Sequence, residues 1–274
     1  MMNLLYITWE VDPVVFEIGP VAIRWYGLLF AGAFLTGYYI MQNILKREQL
    51  PQDWMDSLLL HMMVGTVLGA RLGHVFFYQW DYYAQHLIEI LQIWKGGLAS
   101  HGATIGIIVS LWIWSKKISK KPLMWVLDRI VITIALAAVF IRFGNLMNHE
   151  IVGAPWDGPW AFLFTKAGYQ VLEPRHPAQI YEALSYLLLF CVLAFMYFKA
   201  KAGQKPGMLF GTFLIGLFTA RFFIEFFKEV QVAFEQDMTL NMGQVLSLPL
   251  IGVGVFFLAR SLALRDEAGT ERTQ

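Results

Sequence analysis

The sequence has little charge for its length. Only 15% of its 274 residues are charged, whereas 57% are hydrophobic. Because a protein in water needs a largely polar surface, this composition favours a protein that lies in lipid. The net charge is only +1 at pH 7. A nucleic-acid-binding protein is usually strongly basic, so this net charge argues against nucleic acid as a partner.

Cysteine and an early basic stretch are also scarce. The one cysteine, Cys191, lies in an apolar run, which excludes a disulfide within the chain and a site built from several thiolates. We expect neither a metal nor a cofactor.

The first lysine or arginine is Arg24, whereas a cleavable signal peptide begins with basic residues, so we expect the N-terminus to be retained. The chain shows no internal repeat of fixed period, which removes support for an inverted-repeat transporter.

Long apolar stretches predict about seven transmembrane helices, because a helix needs roughly 20 mostly apolar residues to cross about 30 Å of hydrocarbon. The stretches are Trp25–Leu45, Trp54–Tyr78, Leu98–Ser115, Leu123–Leu146, Ala178–Phe198, Gly207–Phe227 and Gly243–Ala259. We therefore predict an all-α integral membrane protein that forms one polytopic domain over residues 1–274.

Basic residues follow alternate stretches and predict the orientation. They are Lys46, Arg47, Lys116, Lys117, Lys120, Lys121, Lys199, Lys201, Lys205, Arg260 and Arg265. Because cytoplasmic loops carry the excess of lysine and arginine, we predict an outer N-terminus and a cytoplasmic C-terminus. The glycine- and proline-rich loop 148–177 is predicted to form an outer cap, and residues 266–274 a disordered cytoplasmic tail.

Polar residues inside the predicted spans converge on the outer end. They are Tyr26, His101, Tyr181 and Glu182 near the starts of spans, and Arg71, Arg142, Arg221 and Glu225 near the ends. A charged residue at a helix centre costs at least ~2.5 kcal/mol, so those that are retained usually line a cavity or touch a ligand. A purely structural alternative pairs Arg221 with Glu225 and Arg142 with Glu150.

Several motifs resemble one family, the prolipoprotein diacylglyceryl transferases. The stretch IRFGNLMNHEIVG, Ile141–Gly153, resembles the family pattern G-R-x-G-N-F-x-N-x-E-x-x-G. Its matching residues are Arg142, Gly144, Asn145, Asn148, Glu150 and Gly153. Further similar segments are IGPVAIRWYGLLF, GARLGHVFFY, WKGGLASHGATIG, RHPAQIYE, RFFIEFFKE and MGQVLSLPL. In the stretch Ile141–Gly153, Ile141 and Leu146 replace the leading glycine and the phenylalanine. Elsewhere, Leu217 stands where a tyrosine is expected and Lys228 where an arginine is expected.

The resemblance implies a bacterial cytoplasmic (inner) membrane enzyme that performs the first step of lipoprotein maturation. Such an enzyme transfers the diacylglyceryl group of phosphatidylglycerol to the lipobox cysteine of a prolipoprotein signal peptide, forms a thioether and releases glycerol phosphate. The candidate catalytic residues are His101, Arg142, Arg221 and Glu150. The candidate substrate-binding residues are Tyr26, Asn145, Asn148, Gly153 and Lys228.

The implied chemistry assigns two roles. Guanidinium groups match phosphate oxygens in pairs, so Arg142 and Arg221 suit the departing phosphate. A thiol with a pKa near ~8.5 needs a base, for which His101 is the candidate. We interpret His61, His74 and His176 as structural. Two other classes remain open: an anion transporter that binds its substrate through the arginines, and a seven-helix receptor or retinal protein, although the last span has no lysine for a Schiff base.

Overall fold

The computed structural model describes residues 6–168, 172–229 and 238–270. Its contacts divide the described chain into two compact units. The first unit contains the chain up to Tyr39 and the chain from Leu127 onward, and the second unit is Ile40–Val126. The organisation as one polytopic domain stays a prediction.

Helices make up most of both units. They are α1 (Trp25–Arg47), α2 (Trp54–Tyr78), α3 (Trp80–Tyr83), α4 (Ser100–Trp114), α5 (Leu123–Met147), α6 (Ala178–Phe198), α7 (Met208–Ile224) and α8 (Met242–Thr270). Within the described ranges, six helices are long and apolar enough to cross a membrane, namely α1, α2, α5, α6, α8 and α7 with its continuation to Phe227. The predicted all-α integral membrane fold is confirmed.

The predicted span Leu98–Ser115 is the exception. It forms α4, which has 15 residues and continues into a π-helical turn over Ser115–Ser119. At 1.5 Å per residue, 15 residues reach roughly 23 Å, which is less than the hydrocarbon thickness. The number of crossings and their orientation therefore stay predictions. Helix α8 extends to Thr270, residues 271–274 lie outside the described residues, and the disorder of the tail also stays a prediction.

Short strands join distant parts of the first unit. Strands β1 (Ile7–Trp9) and β4 (Phe162–Phe164) pair in parallel, whereas β2 (Val14–Ile18) and β3 (Val21–Arg24) form an antiparallel hairpin. Phe162 and Phe164 are buried with Leu146 and Val152. The cap that follows α5 therefore has its own small apolar core, which fixes it to the end of that helix.

Glycines set the helix packing in each unit. In the first unit, a Cβ atom on Gly211 of α7 would lie 2.8 Å from the carbonyl oxygen of Gly254 in α8. In the second unit, a Cβ atom on Gly69 of α2 would lie 2.5 Å from the carbonyl oxygen of Gly102 in α4. Because real Cβ atoms do not approach so closely, only glycine permits these backbone contacts, and the helices pack at the short distance typical of small-residue membrane interfaces.

Candidate active site

The polar site of the first unit is built where α5 ends. After Met147 the chain reverses through His149 and Ile151, whose φ angles are +54° and +56°. A left-handed conformation costs roughly 1–2 kcal/mol in a residue with a side chain, and a β-branched residue rarely adopts it. The buried amide of Gln179 donates to the carbonyl oxygen of Glu150 at 2.7 Å. This hydrogen bond helps to hold the strained turn that presents the Glu150 carboxylate.

A fully buried carboxylate, Glu182, organises the cations of this site. Its Oε2 lies 3.0 Å from Nε of Arg142, and its Oε1 lies 3.1 Å from Nζ of Lys228. The hydroxyl of Tyr186 donates to Oε1 at 3.3 Å, and Lys228 also pairs with Glu225 at 3.0 Å. A buried carboxylate is stable only when it is paired in this way. One acidic residue therefore joins the ends of α5, α6 and α7.

Asparagines connect Arg142 to Glu150. Nη1 of Arg142 donates to Oδ1 of Asn145 at 3.1 Å, and Nδ2 of Asn145 donates to Oε1 of Glu150 at 2.9 Å. Nδ2 of Asn148 reaches the same carboxylate oxygen at 3.4 Å. The alternative in which Arg142 pairs directly with Glu150 is wrong, because Asn145 stands between the two groups and Glu182 is the ion-pair partner of Arg142.

Arg221 differs from the other cations of the site. It is half-buried near the end of α7, and no other residue in the described part of the chain provides it with a hydrogen bond or an ion pair. Both Arg221 and Arg142 lie close enough to Tyr186 to act electrostatically on its hydroxyl. The alternative in which Arg221 pairs with Glu225 is wrong, since Glu225 pairs with Lys228 instead. Arg221 is thus a cation with its donors available.

Tyr26 lies beside this network at the start of α1. Its ring packs against Gly144 of α5, where an added Cβ atom would come within 2.8 Å of the ring. A cleft of about 410 Å³ opens next to it, lined by Tyr26, Asn148, Arg24 and apolar residues of β3 and α1. Oδ1 of Asn148 is buried and has no hydrogen-bond partner among the described residues. The cleft therefore has a mostly apolar wall, and one of its lining residues, Asn148, keeps a buried acceptor without a described donor.

Gly153 and His176 hold the cap together. A Cβ atom on Gly153 would lie 2.5 Å from the carbonyl oxygen of His176 and 2.7 Å from that of Phe227, so close packing requires glycine there. The His176 ring stacks on Trp156 at 4.3 Å, and its Nδ1 lies 3.1 Å from the Tyr181 hydroxyl. Burial lowers the pKa of His176. These contacts agree with the structural role predicted for His176, whereas a contact of Gly153 with substrate stays a prediction.

His101 belongs to the second unit, so the structure does not group it with the residues above. It is exposed on the first turn of α4, where its ring contacts Phe77 at 5.2 Å and Tyr78 at 5.6 Å between centroids. A cleft of about 470 Å³ opens beside it. The lining residues are His74, Tyr78, Gln79, Leu98, Ala99, Ser100 and His101. Among the described residues, no lysine, arginine or carboxylate lines this cleft.

Sequence reasoning missed the central position of Glu182. The available signal was its place in the outer polar layer, at the start of a span, as the last residue of the motif RHPAQIYE. Gln179 was missed as well, because nothing local shows that a glutamine of α6 binds the Glu150 backbone. No group of three or more histidine, cysteine or acidic residues in the described ranges could hold a metal ion.

These features define a multi-pass membrane protein with a polar, cation-bearing site where several helix ends meet. Residues 13–260 match the family described as prolipoprotein diacylglyceryl transferase. A relative from Chloroherpeton thalassium, named phosphatidylglycerol–prolipoprotein diacylglyceryl transferase, is 45% identical over 98% of each chain. Relatives of the same name from Tolumonas auensis and Porphyromonas gingivalis are 44% and 43% identical, over 92% and 94% of this chain and 96% and 95% of their own.

The chain belongs to the prolipoprotein diacylglyceryl transferase family. It is therefore a transferase of lipoprotein biosynthesis, and the resemblance stated from its motifs is confirmed. The sequence had left two other classes open, the anion transporter and the seven-helix receptor or retinal protein. The transferase family replaces both, since the family match and the relatives extend over nearly the whole chain.

Proposed function

We propose that this protein transfers the diacylglyceryl group of phosphatidylglycerol to the lipobox cysteine of prolipoprotein signal peptides in the bacterial inner membrane. The observation that carries the proposal is Arg221, a half-buried cation whose donors have no partner in the described chain, beside a network in which the other cations are already paired. An anionic lipid head group satisfies such a cation, and the named substrates of the relatives supply one.

In the proposed reaction a substrate sulfur attacks the glycerol carbon that carries the phosphate. The carbon–oxygen bond breaks as the carbon–sulfur bond forms, so the phosphate group changes from a diester monoanion to a monoester dianion. Arg221 stabilises the added charge with preorganised donors. Arg142 is ion-paired with Glu182 through Nε and donates from Nη1 to Asn145, so fewer of its donors are available for the phosphate than those of Arg221. Arg142 therefore contributes less to the clamp than Arg221 does.

The remaining candidates orient the substrate. Asn148 and Tyr26 line one cleft, and their polar side chains suit the hydroxyl groups of the glycerol head group. Asn145 and Glu150 hold each other and Arg142 in place. Lys228 neutralises two carboxylates, so it acts as a structural counter-ion, and the loss of the planar donor geometry of arginine matters less at this position.

His101 serves in the proposal as the base that accepts the thiol proton. General-base assistance contributes ~10² to 10⁴-fold, so His101→Asn should lower turnover by that order near neutral pH. The variant should recover as the pH rises toward 9.5, because a substrate thiol with a pKa near ~8.5 then ionises without help. A constant ratio of wild-type to variant turnover between pH 6 and 9.5 would exclude His101 as the base.

The proposal places the site in the outer leaflet, with the cap 148–177 outside and Lys116–Lys121 in the cytoplasm. In a Cys191→Ser background, a single cysteine at Asp157 of the cap should react with an impermeant maleimide on intact cells. A cysteine at Lys117 should react only after lysis. The reverse labelling pattern would contradict an outer-leaflet site, since it would invert every span.

The direct test combines purified protein, one lipid of defined head group and a lipobox peptide. Phosphatidylglycerol should yield a peptide heavier by one thioether-linked diacylglyceryl group, with one glycerol phosphate released per peptide. Phosphatidylethanolamine of the same acyl chains, or a peptide with serine in place of the lipobox cysteine, should yield neither product. Absence of transfer from phosphatidylglycerol by folded protein would refute the proposed function.

A further inference from the structure

The second unit contains a buried arginine that the proposed chemistry does not use. Arg71 of α2 is only 2% exposed. Its Nε donates to the carbonyl oxygen of Ile90 at 2.8 Å, and its Nη2 donates to that of Glu89 at 2.6 Å. Its Nη1 donates to the carbonyl oxygens of Gly96 and Gly97 at 2.7 and 3.3 Å. Four of its five N–H donors are thus occupied by backbone, which leaves Arg71 unavailable as a phosphate ligand.

The loop bound by Arg71 has no buried apolar core in its first turn. Its 3₁₀ turn Leu87–Leu91 contains no buried residue. The large side chains of Ile88, Leu91 and Trp94 are 73–79% exposed, so the loop buries few of its apolar groups against the rest of the protein. A loop without a core depends on directed hydrogen bonds for its position. Among the described residues, Arg71 supplies the side-chain bonds that join this loop to α2.

The loop fits closely around the guanidinium group. Gly97 has a φ angle of +70°, and a Cβ atom there would lie 2.8 Å from Nη1 of Arg71 and 2.6 Å from Cδ2 of His74. The guanidinium carbon also lies 4.9 Å from the centre of the Tyr83 ring. Close packing on several sides fixes both the arginine and the loop backbone at Gly97.

Gly97 leads directly into the helix that carries His101. Leu98 and Ala99 alone separate Gly97 from the first residue of α4, and Ala99 donates its N–H to the carbonyl oxygen of Ala70 at 2.9 Å. The N-cap residue Ala99 provides no side-chain cap, so the first turn of α4 is held from outside the helix. Arg71 and its neighbour Ala70 therefore fix the two ends of the segment that sets the start of α4.

We infer that Arg71 is a positioning residue for His101, which it holds in place through the loop carbonyls and the first turn of α4. The inference rests on the proposed role of His101 as the base. A base must lie within hydrogen-bond reach of its proton, and a displacement of about 1 Å can cost about 10²-fold in rate. Arg71→Gln should accordingly lower kcat about 10- to 100-fold without raising KM for phosphatidylglycerol.

The matched control is Arg129, which is also buried and also donates to a loop carbonyl, that of Gly203 at 3.2 Å. Arg129→Gln should lower thermal stability without changing kcat per folded molecule. Arg71→Lys should behave like Arg71→Gln, because an ammonium group cannot reproduce the planar arrangement of donors. Full activity of Arg71→Lys would overturn the inference.

Two readouts separate positioning from general destabilisation. The first is the rate at which diethyl pyrocarbonate modifies the exposed His101 ring, followed by mass spectrometry in the wild type, Arg71→Gln and Arg129→Gln. Only Arg71→Gln should change that rate. The second is turnover in the His101→Asn background, where adding Arg71→Gln should cause no further loss because both changes remove the same function.

The inference fails if Arg71→Gln leaves the modification rate of His101 unchanged, or if it lowers turnover by the same factor with and without His101. The proposed role of His101 fails separately, if His101→Asn alone keeps wild-type turnover. In that event a changed modification rate would still confirm the structural link from Arg71 to His101, and the catalytic consequence drawn from it would be overturned.

Discussion

The arginine and lysine side chains in the polar regions of the two units have different partners. In the first unit, Arg142 and Lys228 are bound to carboxylates, while Arg221 remains without a partner in the described chain. In the second unit, Arg71 is bound to four carbonyl oxygens, and no lysine, arginine or carboxylate among the described residues lines the cleft at His101. Arginines that a sequence places in one polar layer therefore have different functions, which depend on the partner that reaches each of them.

The comparison also separates two chemical tasks. A site with an unpaired cation suits an anion whose charge increases during the reaction, whereas a cleft lined by histidine, tyrosine, glutamine and serine suits a thiol and a peptide backbone. The following changes test this division, and they are ordered from the largest expected effect to the smallest.

Loss of Glu182 should have the largest effect, because it leaves two cations in the first unit without their shared counter-ion. Breaking a buried ion pair by removing one partner costs about 3–5 kcal/mol. Glu182→Ala should lower the free energy of unfolding by that amount, measured by denaturation in detergent, and Glu182→Gln should lower it less. The control is Glu173→Ala, which removes a 40% exposed partner of Arg175 and should cost below about 1 kcal/mol. Equal losses in the two alanine variants would contradict the central place of Glu182.

Loss of Arg221 should mainly reduce catalysis. Arg221→Ala should raise the activation free energy by about 2–4 kcal/mol, as for other preorganised donors, with little change in thermal stability because no described partner is left unpaired. Arg221→Lys should rescue poorly, since an ammonium group lacks paired donors. Initial rates of glycerol phosphate release measure the effect, and Arg260→Ala, near the end of α8, should release it at the wild-type rate. Near-normal turnover of Arg221→Lys would show that a point charge suffices.

Gly97→Ala should disturb the second unit alone. The new Cβ atom would contact Arg71 and His74 within 3 Å, and both a clash and a positive φ angle destabilise, together by about 1–3 kcal/mol. Gly96→Ala is the control, because Gly96 also has a positive φ angle, +84°, but has open space around its Cβ position. Turnover should therefore fall more for Gly97→Ala than for Gly96→Ala. Equal losses would show that backbone conformation, and not the contact with Arg71, limits this position.

His176 should give the smallest effect, a pH dependence of cap stability. Burial lowers the pKa of His176 in the folded protein, so the unfolded chain binds the proton more readily and stability falls as the pH drops below about 6.5. His176→Phe keeps a ring against Trp156 and removes the titration. Between pH 8 and 5.5 the Tm of the wild type should fall by roughly 1–2 °C more than that of the variant. An identical fall in both would exclude His176 as the titrating group.

Much of the fold could be predicted from local sequence. Apolar stretches of about 20 residues identified the spans, because hydrocarbon thickness fixes their length. The stretch 98–115 was predicted by the same criterion, but its α-helix ends at Trp114 and continues as a π turn, so its crossing stays a prediction. The parallel pair β1–β4 was not predicted, because it joins Ile7 to Phe162. A local sequence pattern does not indicate a partner strand so far away along the chain.

The sequence predicted which residues form the site, but it did not predict which of them form ion pairs with one another. The motif from Ile141 to Gly153 located Arg142, Asn145 and Glu150, but the spacing suggested pairs along one segment. The structure instead joins Arg142 of α5 and Lys228 to the same carboxylate, Glu182 of α6, because helices that meet at one end offer closer partners than a single helix does. Which cation stays free is thus a property of the packed helices and cannot be read from the chain.

The most direct test of the division among the arginines is lipid binding by purified protein. Native mass spectrometry in a detergent that contains equal amounts of phosphatidylglycerol and phosphatidylcholine would count the lipids that wild type, Arg71→Ala and Arg221→Ala retain. We predict that wild type and Arg71→Ala retain phosphatidylglycerol preferentially and that Arg221→Ala loses this preference. Loss of the preference in Arg71→Ala, or its full retention in Arg221→Ala, would contradict the account.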